Sequence, residues 1–191
     1  MAVRLSVAHL TRPKPGEVEN GDGVVVRTDS GVTLLAVVDS LGHGPAAALA
    51  TASATQCLTR MPLTSSVEEL VAALHVALKH GRGSAVMLAL FDGSVLHAGG
   101  VGNVELRTLG TRVPVLPTPG ILGQSFRTLR TVSTPLLPKD RLVLFSDGLS
   151  FRLDLEQVRD QPPDAACAVL LERFGRATDD ATVLVADVEP S

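Results

Sequence analysis

Four aspartates stand where apolar runs begin or end: Asp22 in "ENGDGVVV", Asp39 in "TLLAVVDSLGHG", Asp147 in "LVLFSDG" and Asp179 in "GRATDDATVLVADV". A carboxylate at the end of a buried strand is costly unless something compensates it. If these ends converge, their like charges repel and drive carboxyl pKa values up, and a divalent cation removes the conflict. All-oxygen ligands suit Mg²⁺ or Mn²⁺, whereas zinc wants His or Cys at close spacing. His43, His75, His80 and His97 show no such pairing. Taken singly, an Asp before Gly is ordinary turn chemistry, and Asp92 and Asp140 read that way. The conjunction is more informative: three apolar strands bounded by Asp, with glycine-rich "DSLGHG" leading into a helix.

The elements that must position these acids are mostly strands. The runs "AVRLSVAHL", "GVVVRT", "VTLLAVVD", "SAVMLALFDG", "SVLHAGG", "NVELRTLG", "FRTLRTVS", "DRLVLFSDG" and "ATVLVADV" are short and β-rich, with Gly, Asp, Asn or Pro at their ends. Asp92-Gly93 between two of them marks a two-residue hairpin connection. One helix opens at Pro45 and runs to about Arg60, where Met61-Pro62 stops it. A second begins at Ser65, with Glu68 at capping-box spacing, and carries Val67, Leu70, Val71, Leu74 and Leu78 on one face before Gly81. A third spans "PPDAACAVLLERFG", with Asp164 as its cap and Gly175 as its stop. The Pro- and Gly-rich stretch at 114–125 is a loop between strands. The pattern predicts an α+β fold: a mostly antiparallel β-sandwich flanked by helices on both outer faces, four layers in αββα order.

Composition narrows the function. The chain has 191 residues, the size of one domain, 1–191, and 45% of them are apolar. Aromatics make up 3%, with no Trp or Tyr, so no platform for stacking nucleic-acid bases exists. Seventeen Lys and Arg against 20 Asp and Glu leave a net charge of −3, and no basic run is present, which argues against a nucleic-acid partner. Cys57 and Cys167 form no metal knuckle and read as buried free thiols of a reducing, cytoplasmic compartment. No signal-peptide core or stretch of about 18 apolar residues occurs, so no membrane association is expected.

Other chemistries fit less well. Ser40, His43 and Ser146 suggest a serine hydrolase, but no GxSxG elbow is present. "GGVGNVE" lacks the third glycine of a dinucleotide fingerprint and no GxxxxGK occurs, so these glycines mark a tight turn or bulge.

Taken together, "VVDSLGHGPAAALA", "LVLFSDGLS" and "GRATDDATVLVADV" resemble the metal-dependent protein phosphatases of the protein phosphatase 2C (PP2C) type. The likeness is to the bacterial branch that includes the sporulation phosphatase SpoIIE and the stressosome phosphatase RsbX. "NGDG" and "GGVGNVELR" look most like the RsbX type, a minimal phosphatase without a sensor domain. The resemblance implies two Mn²⁺ or Mg²⁺ ions at one edge of the sandwich and hydrolysis of phosphoserine or phosphothreonine by a metal-activated water. The implied partner is a phosphorylated protein of the stressosome or anti-sigma-antagonist type. A phosphatase-like binding module without catalysis, serving the same signalling system, is the alternative; the presence of every metal-site aspartate argues against it.

Residue by residue, the resemblance matches Asp39 to the aspartate that bridges both metals and Ser40 to the next position, which gives only its backbone carbonyl. Gly is common there in the family. Asp147 and Asp179 match two aspartates that hold one metal, and Asp22 matches an upstream acid that faces the other metal through water. His43 lies four residues after Asp39, and no general-acid role follows for it. The phosphate-gripping Arg of the eukaryotic relatives has no evident match; Arg12 is the basic candidate for it, and phosphate would otherwise be held by metals and backbone.

Overall fold

In the computed structural model, which describes residues 3–190, two antiparallel sheets stack face to face. The strands are β1 (Val3–Arg12), β2 (Asp22–Asp29), β3 (Val32–Ser40), β4 (Ser84–Phe91), β5 (Val95–Val101), β6 (Glu105–Leu109), β7 (Gly120–Ile121), β8 (Ser125–Phe126), β9 (Thr131–Pro135), β10 (Arg141–Phe145) and β11 (Ala181–Pro190). One sheet has the order β1-β11-β10-β6 and the other β2-β3-β4-β5-β9; β7 and β8 form a separate small ribbon. The helices are α1 (Pro45–Arg60), α2 (Val67–Ala77) and α3 (Pro163–Phe174).

Side-chain alternation builds the layers. On β3, Leu35 and Val37 turn inward to meet Met87, Ala89 and Phe91 of β4 and Leu142, Leu144, Leu184 and Ala186 of the facing sheet. Leu34, Ala36 and Val38 turn outward beneath Ala50, Ala54 and Leu58 of α1 and Leu70, Val71 and Leu74 of α2. On the far side, Val143, Phe145, Val183 and Val185 pack under Ala166, Cys167 and Leu170 of α3. Strand segments covered on both faces are apolar at successive positions, which is why residues 34–38, 85–91, 142–145 and 183–186 read as continuous hydrophobic runs. The expected four-layer α+β sandwich is present, and all named strand pairings are antiparallel.

Several local expectations shift. The capping box of α2 is Ser66 with Glu69, one residue beyond Ser65 and Glu68. That register puts Val67 in the first turn against the sheet and leaves Glu68 to accept the Thr131 hydroxyl at 2.6 Å. Asp164 does not cap α3; Pro162 is the cap and Pro163 opens the helix, so Asp164 serves only as a first-turn acid. The run "FRTLRTVS" divides between β8 and β9, because Phe126, Leu129 and Val132 recur every third residue and no single strand can put all three on one face. The β4–β5 connection centres on Gly93 and Ser94, and the Asp92 carboxylate accepts both the Ser94 and Val95 amides. Asp140 is more than a turn residue: it is buried and takes the Thr111 and Leu137 amides, each at 2.8 Å. Cys167 is buried, which pushes its thiol up to about 11, while Cys57 is only half-buried. No helix among the described residues is long and apolar enough to cross a membrane.

The capping register is testable by urea unfolding. Ser66→Ala is expected to cost about 1 kcal/mol, and Ser65→Ala less than about 0.5 kcal/mol. The reverse order would restore the register read from the sequence.

Candidate metal centre

Asp39 is the penultimate residue of β3 and pairs in register with Asp22, the first residue of β2. Asp147 follows β10 by two residues and Asp179 precedes β11 by two, and those strands pair with each other in the opposite sheet. The sandwich therefore delivers four acids to one end from the tips of four strands. Asp39, Asp147 and Asp179 line a cavity of about 480 Å³ whose remaining wall includes Leu41, His43, Asn103 and Ile121. Asp22 lies behind that wall, 6% exposed. The stretch at 114–125, expected as a loop, folds in part into the β7–β8 ribbon, and Ile121 of β7 borders the cavity.

Neighbouring polar groups fix the acids. The Ser146 hydroxyl accepts the Thr182 amide and donates to Asp22 Oδ2 at 2.6 Å, which ties the two sheets together at this end. Asn103 Nδ2 donates to Asp147 Oδ2 at 2.6 Å. Asp180, 3% exposed, accepts the amides of Lys14 at 2.8 Å and Gly21 at 2.9 Å, and so holds both ends of the β1–β2 connection. Ser40 is fully buried; its hydroxyl lies 2.7 Å from both Thr51 Oγ1 and Ser84 Oγ, and Thr51 donates on to the Gly21 carbonyl. A glycine at position 40 could make none of the side-chain bonds that bind the end of β3 to β4 and α1. Two real glycines are required by space and conformation. A side chain on Gly148 would collide with the Asp180 carbonyl, and Gly42 has φ 86° with the Arg82 guanidinium where a Cβ would sit.

The electrostatics match the crowding. Burial first, then the charges of Asp22, Asp147 and Asp179, push the Asp39 carboxyl up to about 9. Burial chiefly, with help from Asp180 and Asp147, takes Asp22 to about 7 against the lowering effect of the Ser146 and Thr182 hydroxyls. Asp179 is also raised, by burial and by Asp147.

No three His, Cys, Asp or Glu groups among the described residues form a ready-made cage around an ion. The site is instead an open, all-oxygen set on one cavity. That suits Mg²⁺ or Mn²⁺, which keep several waters and take one or two carboxylates each, and not the closed N/S cage of structural zinc. The raised pKa values of Asp39 and Asp22 mark the positive charge this donor set calls for.

The structure does not bring every flagged residue here. Arg12 gives its Nη2 to the Arg176 carbonyl at 2.7 Å and does not line the cavity. No serine triad exists, since the Ser40 hydroxyl bonds Thr51 and Ser84, that of Ser146 bonds Asp22, and His43 bonds Glu17 and Lys14. The sequence does not disclose the site roles of Asn103, Ser146 and Asp180; Ser146 enters there only as a serine-hydrolase candidate. Only Asp180 carried a signal, because consecutive acids entering a strand must face opposite sides. A larger cavity of about 540 Å³ lies at the other end of β3, around Val32 and the start of α2. Its acids are engaged elsewhere: Glu68 with Thr131, Glu69 in the capping box and Asp92 in its turn.

This two-sheet, two-helix-layer fold is shared with PP2C-type phosphatases. RsbX in complex with magnesium superposes with a TM-score of 0.85 at 19% identity, over 97% of this chain and 96% of that one. The catalytic domain of the serine/threonine phosphatase PstP with two manganese ions gives 0.76 at 21% identity, over 98% and 100%. A structure from work on the bacterial stressosome, as a modular system adapted to control secondary messenger signalling, gives 0.89 at 30% identity, over 96% and 99%. Curated proteins give no match. The family model of stage II sporulation protein E (SpoIIE) matches residues 29–189, and the chain belongs to that family.

The raised carboxyls make a signed prediction for chelator-treated protein. Asp39 and Asp22 hold their protons to about 9 and 7 in the folded chain and to about 3.8 when unfolded. The folded state thus binds more protons between those values, and stability falls as pH rises from about 4 to 9. Asp39→Asn should raise the melting temperature by roughly several degrees at pH 9, with the gain vanishing near pH 4. A gain that is the same at both pH values would contradict the crowding.

Proposed function

We propose that this chain is a Mn²⁺- or Mg²⁺-dependent protein phosphatase, residues 1–191 forming one catalytic domain, that hydrolyses phosphoserine or phosphothreonine on a partner protein. The observation that carries the reading is the convergence of Asp39, Asp147 and Asp179 on one cavity, with Asp22 behind it, in a PP2C-type fold. In this reading Asp39 would help hold both ions, Asp147 and Asp179 one of them, and Asp22 and the Ser40 carbonyl the other. When bound, such ions lower the pKa of a water toward neutrality and offset the charge of a phosphoryl group.

The chain's own groups set the conditions. Asn103 orients the Asp147 carboxylate, Ser146 orients that of Asp22, and the Ser40–Thr51–Ser84 hydroxyls keep the end of β3 in place. Ligands fixed in this way lose no ordering entropy when the ions and substrate arrive. Kinship with stressosome-related structures supports a partner of the stressosome or anti-sigma-antagonist type, an RsbX-like role, and action in the cytoplasm.

Replacing even an outer partner of a metal ligand costs about 10–100-fold. Asp39→Ala is therefore expected to lower Mn²⁺-dependent phosphate release from a phosphoserine protein by more than about 100-fold, with far-UV circular dichroism unchanged. Turnover that persists in EDTA, or that survives the substitution, would overturn the reading.

A further inference from the structure

The β1–β2 connection carries a chain of polar contacts that the carboxylates do not account for. Lys14 Nζ lies 2.9 Å from His43 Nε2, and His43 Nδ1 lies 2.7 Å from Glu17 Oε1. A carboxylate can only accept, so His43 donates from Nδ1, and its neutral Nε2 accepts from the Lys14 ammonium. The Lys14 and Glu17 backbones close a turn on each other at 2.9 Å, and the Lys14 amide is pinned to Asp180, next in sequence to Asp179.

This arrangement differs from a surface ion pair. The Lys14 and Glu17 side chains form no direct ion pair; the His43 imidazole stands between them, so the ammonium is held in place without being neutralised by direct contact. Two of its three N–H groups remain to donate. The position is telling as well, since His43 lines the acid cavity and the charge of Lys14 acts on Asp179. Arg12, the basic residue expected to grip phosphate, is committed to the Arg176 carbonyl.

We propose that Lys14 is the phosphate-anchoring cation of the site, with His43 and Glu17 as the positioning residues that aim it at the cavity mouth. The proposal rests on the phosphatase reading for its substrate, a phosphomonoester on a protein side chain. As a compact point charge, an ammonium recognises a phosphate by charge more than by fixed geometry.

Two measurements on the Mn²⁺-loaded protein decide it. With a phosphoserine peptide, Lys14→Ala should raise KM by about tenfold or more, the worth of one charge-assisted hydrogen bond, while kcat changes by less than about threefold. Lys14→Arg should recover most of the loss, and His43→Ala and Glu17→Gln should raise KM less than Lys14→Ala does. Calorimetric titration with inorganic phosphate should show the same ranking of Kd. An unchanged KM and phosphate Kd in Lys14→Ala would overturn the assignment, as would wild-type protein that binds no phosphate. If wild type binds phosphate through Lys14 yet turns over no peptide, the phosphatase reading fails and the anion site stands.

Discussion

Everything at the functional end of this molecule follows from carboxylates held together where solvent is scarce. Two like charges about 5 Å apart repel by roughly 3 kcal/mol at an effective dielectric of 20, and burial adds a desolvation cost. Asp39 and Asp22 register both effects as carboxyls that stay protonated far above their ordinary range. A chain free to relax would splay these side chains apart. This one cannot, because Asp39 and Asp22 are register partners in one sheet, and Asp147 and Asp179 flank paired strands in the other.

The packing explains how the fold tolerates such a site. Three apolar layers, one between the sheets and one beneath each helical face, hold the strands at every position along their length. Stability is spread over the body of the sandwich, and the strain is confined to strand tips. There it meets local fasteners: Ser146 across the sheets, Asp180 on the β1–β2 loop and the three hydroxyls around Ser40. Strong support from behind and repulsion in front make a site pre-organised for cations, in keeping with the general tendency of functional sites to store unfavourable contacts.

The sequence disclosed what depends on periodicity and on punctuation. Strands covered on both faces announced themselves as continuous apolar runs, and an Asp closing such a run is anomalous enough to notice without a structure. Less visible was anything decided by one residue's competition with its neighbour. Ser65 with Glu68 and Ser66 with Glu69 satisfy the same capping rule, and only the buried face of α2 chooses between them. Asp164 has a good capping side chain, but two prolines already set the start of α3. Ser146 and Asn103 have no local signature at all, since a serine or an asparagine at a strand end is common and their roles exist only across 124 and 44 residues of sequence separation. Arg12 had no motif around it to mark a phosphate ligand; on β1 its side chain is drawn to the Arg176 carbonyl.

The site also divides into two parts with different mechanical character. Asp39, Asp147 and Asp179 stand at or beside the ends of buried strands, where a shift of one would disturb the core behind it. Lys14, Glu17 and His43 sit in connections, bonded mainly to one another and to the backbone hooks on Asp180. Loops of this kind vary more freely than the strands they join, and the SpoIIE match beginning at residue 29 leaves the β1–β2 connection outside it. Acids that must hold a fixed mutual geometry are therefore on the rigid elements, and the groups facing outward from them are on the adjustable ones. The two parts meet at residues 20–22: Asp180 takes the amides of Lys14 and Gly21, and the Gly21 carbonyl accepts the Ser40 amide and the Thr51 hydroxyl. Change that leaves the carboxylate spacing intact is therefore confined to the side chains between those hooks, and Gly21 itself has no room for one.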